Sequence, residues 1–203
     1  MANTDSPFGL RPHNKLGSAP NSNGMTPYKV QINGVAGSSS AIRQGDMVIP
    51  LTNGLVDVSA ADGGSVAILG VMAGCEYIAL DGTPTFDNNY PGTSSLKSGT
   101  EATVFVYDDP FQVYEIQCDA TLTNLATATA LIHSNAEGTG FGSEQANGIS
   151  SGELSVSSAG ATTATDNFRI IGFKDVEGID YAAAGVVALV KLNLPFHLAT
   201  TGL

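Results

Sequence analysis

The sequence has few bases and no feature that marks export. Only 8 of its 203 residues are Lys or Arg, against 19 Asp and Glu, so the formal net charge is -11. Because nucleic acids and anionic membranes are bound through clustered bases, we expect neither as a partner. The N-terminus has no basic region followed by an apolar core, so no secretory signal is expected. No apolar run approaches the roughly 20 residues that span a bilayer.

Tryptophan is absent and charged residues are scarce, at 13 % of the chain, whereas glycine occurs 24 times. This composition is typical of a β-rich protein with many turns and argues against a helical bundle or a disordered chain. A chain of this length forms one domain of ordinary size. The low charge content fits an oligomer or a docked module as well as a soluble acidic monomer, and composition does not choose between them.

Cysteine is also scarce. Cys75 and Cys118 permit one disulfide without requiring it. Both lie in strand-like segments, and free cysteine is among the most buried residue types, so we expect two reduced, buried thiols.

The rest of the chain is organised around an apolar stretch, residues 66–77, with the sequence VAILGVMAGCEY. A continuous apolar run of this length between glycine-rich turns predicts a strand covered on both faces. Glycine inside a strand marks a bulge, a bend or a close backbone approach, so Gly70 and Gly74 predict curvature. We expect Cys75 in the core and Glu76 and Tyr77 at the rim.

Residues 1–29 are predicted to form an extended N-terminal arm, because four prolines and several glycines and asparagines oppose helix and central strand. The arm has a formal charge of +2 and the remaining chain -13. It is therefore expected either to dock on its own body or a neighbouring acidic subunit, or to be a frayed terminus. Phe8 and Leu10 favour docking, since a disordered tail has little use for them.

Residues 30–203 are predicted to form one β-rich domain, an antiparallel barrel or sandwich with one or two short helices. Asn53-Gly54 between two apolar runs predicts a hairpin with a type I′ turn, which pairs with residues 66–77. Residues 102–107 and 111–118 are predicted to pair with each other. Further strands are expected at residues 28–32, 168–173 and 186–196.

Three segments between these strands have weaker patterns. Residues 81–100 are predicted to form a loop anchored by Phe86 and Tyr90. Residues 121–132 favour a short helix, and residues 178–185 one helical turn. Residues 136–166 are mostly Gly, Ser, Thr and Ala, too poor in large apolar groups to offset their ordering entropy, and predict an exposed excursion.

No motif points to catalysis, a cofactor or a metal. Asp108 and Asp109 precede Pro110, and adjacent acids in a strand point to opposite faces, so a turn is the better interpretation. Glu76 beside Cys75 lacks a nearby base that would activate a thiol. The three histidines, His13, His133 and His197, have no ligand-like spacing. The glycines of residues 138–142 fail the spacing of a phosphate-binding loop. We therefore expect no enzyme.

Several segments resemble the head decoration, or cement, proteins of tailed double-stranded-DNA bacteriophages. The likeness lies in residues 2–12 (ANTDSPFGLRP), 45–48 (GDMV), 69–77 (LGVMAGCEY), 106–117 (VYDDPFQVYEIQ) and 190–193 (VKLN) with His197.

This resemblance implies a structural virion protein with an all-β body, made in the host cytoplasm and located on the outer surface of the capsid. Its implied partners are the major capsid protein and two further copies of itself in a homotrimer, and its implied role is to stabilise the expanded head. Phe8, Leu10, Arg11 and Pro12 of the arm are the expected capsid contact. A receptor-binding or neck module of the same particle, with residues 136–166 facing outward, is the alternative.

Overall fold

The structure is a computed structural model that describes residues 3–17, 24–33, 37–59, 66–145, 147–174, 177–200 and 202. Within these residues the chain is almost entirely β-structure, with one short α-helix, α1 (Leu125–Leu131), and two 3₁₀ turns, Thr93–Ser95 and Phe196–Leu198. None of its described helices is long and apolar enough to cross a membrane. In chain order the strands are β1 (Arg11–Lys15), β2 (Thr26–Gln31), β3 (Ile42–Arg43), β4 (Met47–Pro50), β5 (Val56–Val58), β6 (Gly70–Ile78), β7 (Pro84–Asp87), β8 (Asn89–Tyr90), β9 (Ala102–Tyr107), β10 (Gln112–Gln117), β11 (Asn135–Ala136), β12 (Gly138–Thr139), β13 (Glu153–Leu154), β14 (Phe168–Phe173) and β15 (Val187–Leu192).

The strands form two main antiparallel sheets. One has the order β1-β10-β15-β14-β11, and the other has the order β2-β9-β6-β4-β5 with β7 also paired to β6. Two small ribbons, β3-β8 and β12-β13, flank them. Neither main sheet closes into a barrel within the described residues. The predicted all-β antiparallel fold is thus confirmed, and of its two forms the sandwich fits.

Two apolar clusters lie on the two faces of the six-stranded sheet. The first holds Met47 and Val71 of that sheet against Tyr114, Ile170 and Val190 of the five-stranded sheet, so it fills the space between the sheets. The second lies on the other face and is covered by the β3-β8 ribbon; its members include Ile42, Val48, Met72, Tyr90 and Val104. The six-stranded sheet is therefore buried on both faces along much of its length.

Strand β6 confirms the central prediction. It pairs with β9 on one side and with β4 and β7 on the other. The register with β9 shifts between Met72 and Gly74, which is the predicted bulge. Cys75 is buried, and Glu76 and Tyr77 are half-buried, as expected. At Gly70 a Cβ atom would overlap the carbonyl oxygen of Tyr107, so glycine is required by close backbone approach.

The hairpin β4–β5 is confirmed, but its predicted type I′ turn is wrong. Only Gly54, and not Asn53, has a positive φ, 81°. The turn is wider than two residues, because Leu51 N–H donates to the carbonyl oxygen of Leu55 at 2.8 Å. The Asn53 side chain instead accepts the Leu55 N–H at 3.0 Å through Oδ1.

The predicted pairing of residues 102–107 with 111–118 is wrong. Strand β9 lies between β2 and β6, whereas β10 lies between β1 and β15 in the other sheet. The turn between them is a corner that carries the chain from one sheet to the other. Asp109 forms this corner as expected, since its carboxylate accepts the Phe111 N–H at 2.8 Å.

The predicted arm contains two strands. Its prolines are compatible with these strands because β1 and β2 are both edge strands, where proline is tolerated. Residues 3–17 lie against the body: the carbonyl of Thr4 accepts from Gln117 Nε2 at 2.9 Å, and Leu16 N–H donates to Phe111 O at 3.0 Å. Residues 18–23 of the predicted arm lie outside the described residues.

Two predictions about loops are corrected. Residues 84–87 form β7 rather than a loop. Phe86 is 76 % exposed and so does not pin this segment to the body. Tyr90 is fully buried, as predicted. Residues 136–166 are not an exposed excursion. Phe141 is only 5 % exposed and packs against Phe168, with ring centroids 6.1 Å apart. The large Phe141 ring packs against small residues, and it gives this segment the buried apolar area that its composition did not predict.

Of three further predictions, the short helix and the alternation in the last strand are confirmed, and the helical turn over residues 178–185 is wrong. The short helix is α1, whose N-cap Asn124 accepts the Thr127 N–H at 2.9 Å. Strand β15 alternates as predicted, with Ala188 and Val190 fully buried. Residues 178–185 form turns rather than a helical turn.

We predict that Gly70→Ala destabilises the protein by about 1–3 kcal/mol, because the added methyl group overpacks the β6–β9 contact. Gly74→Ala is the matched control, since its Cβ would meet only the carbonyl oxygen of Asp87, at 3.3 Å. Urea denaturation of the two variants measures the difference. Equal free energies of unfolding would contradict the close approach at Gly70.

Candidate functional site: the N-terminal groove

The N-terminal segment borders a groove of about 140 Å³, called here the N-terminal groove. All four predicted contact residues, Phe8, Leu10, Arg11 and Pro12, line it. The other lining residues come from the body: Gln44, Met72, Tyr107 and Ile149. The structure therefore brings the predicted residues together at one place.

Phe8 and Arg11 form a stacked pair at this groove. The guanidinium carbon of Arg11 lies 3.9 Å from the centroid of the Phe8 ring. Arg11 is exposed and Phe8 half-buried. Among the described residues no carboxylate lies within ion-pair distance of Arg11. A planar cation held on an aromatic ring keeps its hydrogen-bond donors available in a fixed orientation, which suits recognition of a carboxylate.

Leu10 lines the groove with the other three predicted contact residues, but unlike them it is buried. It is 2 % exposed and belongs to the apolar cluster between the sheets. Its N–H donates to the carbonyl oxygen of Gly45 at 2.9 Å. Leu10 therefore fixes the N-terminal segment to its own chain and holds Phe8 and Arg11 in position.

Two glycines allow this segment to lie so close to the body. Gly9 and Gly45 have φ values of +67° and +92°, which disfavour side chains. A Cβ atom at Gly9 would lie 2.6 Å from Gly45 O and from Ser150 Cβ. Any larger residue would push the segment away and open the groove.

Asp46, the residue after Gly45, is a buried carboxylate whose role the sequence did not reveal. It is fully buried. Its Oδ1 accepts hydrogen bonds from Ser150 Oγ at 2.5 Å and from Gly142 N–H at 3.1 Å, and its Oδ2 accepts from Arg43 N–H at 2.9 Å. Burial raises the pKa of Asp46, and these three hydrogen bonds oppose the shift. The carboxylate thus joins residues 43–46 to residues 142–150.

Arg43 strengthens the same junction. Its guanidinium donates to the carbonyl oxygen of Gly142 at 2.6 Å and to Glu144 Oε2 at 2.9 Å. Ser150 N–H also donates to Gln44 O, at 3.0 Å. Gln44 and Ile149, two walls of the N-terminal groove, are therefore held by bonds to residues far away in the chain.

The cysteines are free and buried, as predicted. Burial, with a smaller contribution from Asp87, raises the pKa of Cys75 to about 12. Burial, with Asp119, raises the pKa of Cys118 to about 12. A thiol that keeps its proton at neutral pH is a poor nucleophile. Within the described residues no group of three or more His, Cys, Asp and Glu is placed to hold a metal ion.

His197 lies in a small polar cluster that the sequence did not suggest. Tyr28 donates its hydroxyl proton to Asp108 Oδ2 at 2.7 Å, and His197 Nε2 lies 3.3 Å from the same oxygen. Burial and the hydrogen bond to Asp108 raise the pKa of Tyr28, so the phenol stays protonated. The cluster joins the 3₁₀ turn Phe196–Leu198 to strand β2.

We predict that Asp46→Asn lowers the free energy of unfolding by about 1–3 kcal/mol. The amide NH₂ that replaces Oδ2 is a donor, and it faces the Arg43 N–H, which is also a donor. Urea unfolding measures the loss. The control is Glu101→Gln, which breaks only the surface ion pair with Lys29 and should cost less than about 1 kcal/mol. A loss at Asp46 no larger than the loss at Glu101 would contradict the role of this carboxylate as a junction.

We also predict that neither thiol reacts with a thiol-specific reagent at pH 8 in the folded protein. With a pKa of about 12, only about one thiol in ten thousand is ionised at that pH. Both should react after unfolding in guanidinium, which serves as the control. Rapid reaction of the folded protein would show that a cysteine is accessible and activated.

Neither the sequence nor the fold leads to a known relative. No family model, no curated protein and no solved structure matches this chain. The likeness to head decoration proteins therefore depends on the short segments quoted above, and the function that follows is a proposal built on those segments and on the N-terminal groove.

Proposed function

We propose that this chain is a structural protein of a tailed-phage particle, a decoration or cement protein that binds between major capsid subunits on the outer surface of the head. The observation that carries the proposal is the stacked Phe8–Arg11 pair beside the N-terminal groove. The pair lies within residues 2–12, where the resemblance to decoration proteins also begins. It offers an aromatic ring, a cation without a carboxylate partner in the described chain, and a cleft.

The groove suits an anchoring side chain from a neighbouring protein. A cavity of about 150 Å³ holds a benzene ring, and the N-terminal groove has about 140 Å³. Interface energy concentrates where an aromatic residue or arginine meets a pocket. An apolar side chain of the capsid protein, flanked by a carboxylate that pairs with Arg11, is the complement of this site.

Such a protein acts by mass action and needs no reaction. If it binds the expanded shell better than the precursor, it stabilises the expanded state by the difference in binding free energy. Association of three copies in a homotrimer would multiply the contacts, and many copies on one lattice gain retention through multivalency. The two protonated, buried thiols fit a role without catalysis.

The alternative, a receptor-binding or neck module, has less support. It requires residues 136–166 to form an outward recognition loop, but Phe141, Ser150 and Leu154 of that segment are buried. Labelling the protein on intact particles separates the two functions. Hundreds of copies over the head support a cement protein, whereas a few copies at one vertex reject it.

The contact itself is tested with Phe8→Ala and Arg11→Ala in a binding assay on expanded heads that lack the protein. Each variant should bind about 10- to 30-fold more weakly, as expected for a hot-spot residue. Arg11→Lys, which keeps the charge but loses the planar stack, should be intermediate. Deleting residues 2–12 is a poor test, because it also removes Leu10 from the core.

The matched control is Leu16→Ser, a change at a 40 % exposed side chain of the same segment outside the groove. It should bind as the wild type does. Thermal unfolding of every variant shows whether the fold is kept. Full retention of the Arg11→Ala protein on expanded heads would remove this groove from the capsid contact.

A further inference from the structure

The β6–β7 hairpin carries the two most exposed large apolar side chains of the described chain. Leu80 is 67 % and Phe86 76 % exposed. Each is followed directly by an acid, Asp81 and Asp87. The Thr83 N–H donates to Asp81 at 2.9 Å, and this bond holds the pKa of Asp81 below its usual value, so that carboxylate is ionised at neutral pH. The hairpin therefore presents apolar groups beside negative charge.

A second groove, at the end of β15, has the opposite character and is called here the C-terminal groove. It has a volume of about 310 Å³ and is mostly apolar; its lining includes Ala67, Leu194, Pro195 and Leu198. Lys191 is part of the lining. Leu198 is itself 52 % exposed.

Arg169 adds a second cation beside Lys191. The two residues are direct partners in the β14–β15 ladder. Within the described residues neither has a carboxylate within ion-pair distance; Arg169 donates only to the amide oxygen of Asn135, at 3.2 Å. Two adjacent cations in a chain of net charge -11 are an uncommon local excess of positive charge.

We propose that the β6–β7 hairpin of one copy docks in the C-terminal groove of a second copy of this chain. Phe86 enters the apolar groove, and Asp81 of the hairpin turn pairs with Lys191 and Arg169. The occupant is a second copy because the chain itself carries both halves, an apolar-acidic projection and an apolar-basic cleft with no residue in common. Apolar contact supplies most of the affinity, while the charges fix the orientation.

The contact is heterologous, since each copy uses its hairpin toward one neighbour and its groove toward the other. Heterologous contacts close into rings when the rotation between copies allows it. This inference rests on the part of the proposed function that joins copies into a trimer, and it names the surfaces that would join them. It does not involve Phe8 or Arg11, which stay available to the capsid.

The test is the oligomeric state of the purified protein, measured by sedimentation velocity and light scattering at concentrations up to about 100 µM, in the range of weak protein contacts. The wild type should form a closed assembly, with three times the 20.7 kDa of one chain for a trimer. Phe86→Ser, and separately Arg169→Glu with Lys191→Glu, should each weaken association at least about tenfold.

Two controls keep the test specific. Phe111→Ser changes a comparably exposed aromatic residue, 51 %, outside both surfaces and should leave association unchanged. Mixing the Arg169→Glu/Lys191→Glu protein with an Asp81→Lys protein should restore hetero-association that neither shows alone, because exchanging the charges re-forms the ion pair.

Three outcomes overturn the inference. A wild type that stays monomeric over this range has no such contact, although binding to heads through the N-terminal groove remains to be judged by its own assay. An assembly that persists in the Phe86 and Arg169/Lys191 variants uses other surfaces, and the proposed trimer then stands without this contact. Capture of a DNA duplex by the monomeric wild type, lost in the Arg169→Glu/Lys191→Glu variant, would assign these cations to nucleic acid.

Discussion

The buried carboxylate of Asp46 is the constraint on which the arrangement of the irregular segments depends. It receives hydrogen bonds from Arg43, Gly142 and Ser150, the last two separated from it by 96 and 104 residues in the chain. Burying a carboxyl group is expensive unless hydrogen-bond partners replace its water, and three donors do so here. The Asp46 backbone also accepts the Met72 N–H at 2.9 Å, so the carboxylate, strand β6 and the segment around residue 150 are located relative to one another.

The shape of the N-terminal groove depends on the segment that the Asp46 hydrogen bonds hold in place. Gly45 is the residue before Asp46, and its carbonyl oxygen accepts the Leu10 N–H at 2.9 Å. Leu10 is buried between the sheets, and the residues on either side of the Gly9–Leu10 pair, Phe8 and Arg11, lie at the surface. A side chain that anchors a segment to its own body can therefore position its neighbours for an external contact. Preorganisation of this kind lowers the entropy cost of binding, because the segment is ordered before a partner arrives.

The sequence predicted those features of the fold that are determined by residues close together in the chain. The alternation in β15, the glycine bulge in β6 and the short helix α1 each depend on residues close together in the sequence. The pairing of β9 with β2 and β6 was not predictable, because a short turn between two strands looks the same whether it closes a hairpin or crosses between sheets. The burial of Phe141 depends on Phe168, and the burial of Asp46 depends on Gly142 and Ser150, 96 and 104 residues away; no short sequence window contains these partners. Phe8, Arg11 and Pro12, named from the sequence as a capsid contact, line one groove, but the sequence could not show that Leu10 belongs to the core.

The few bases of the chain divide by role. Lys15, Lys29, Arg43 and Lys174 pair with acids of the same chain, at 2.6–2.9 Å. Arg11, Arg169 and Lys191 make no ion pair in the described chain, and they lie at or beside the two grooves, whereas Lys97 lines neither. Copies of a protein with net charge -11 repel one another, and so do such a protein and an acidic partner. Close approach is then favourable only where cations are concentrated locally. An acidic chain that associates at all is thus expected to do so through its unpaired bases. This is the physical reason why the contacts proposed above involve the two grooves rather than the larger acidic surface.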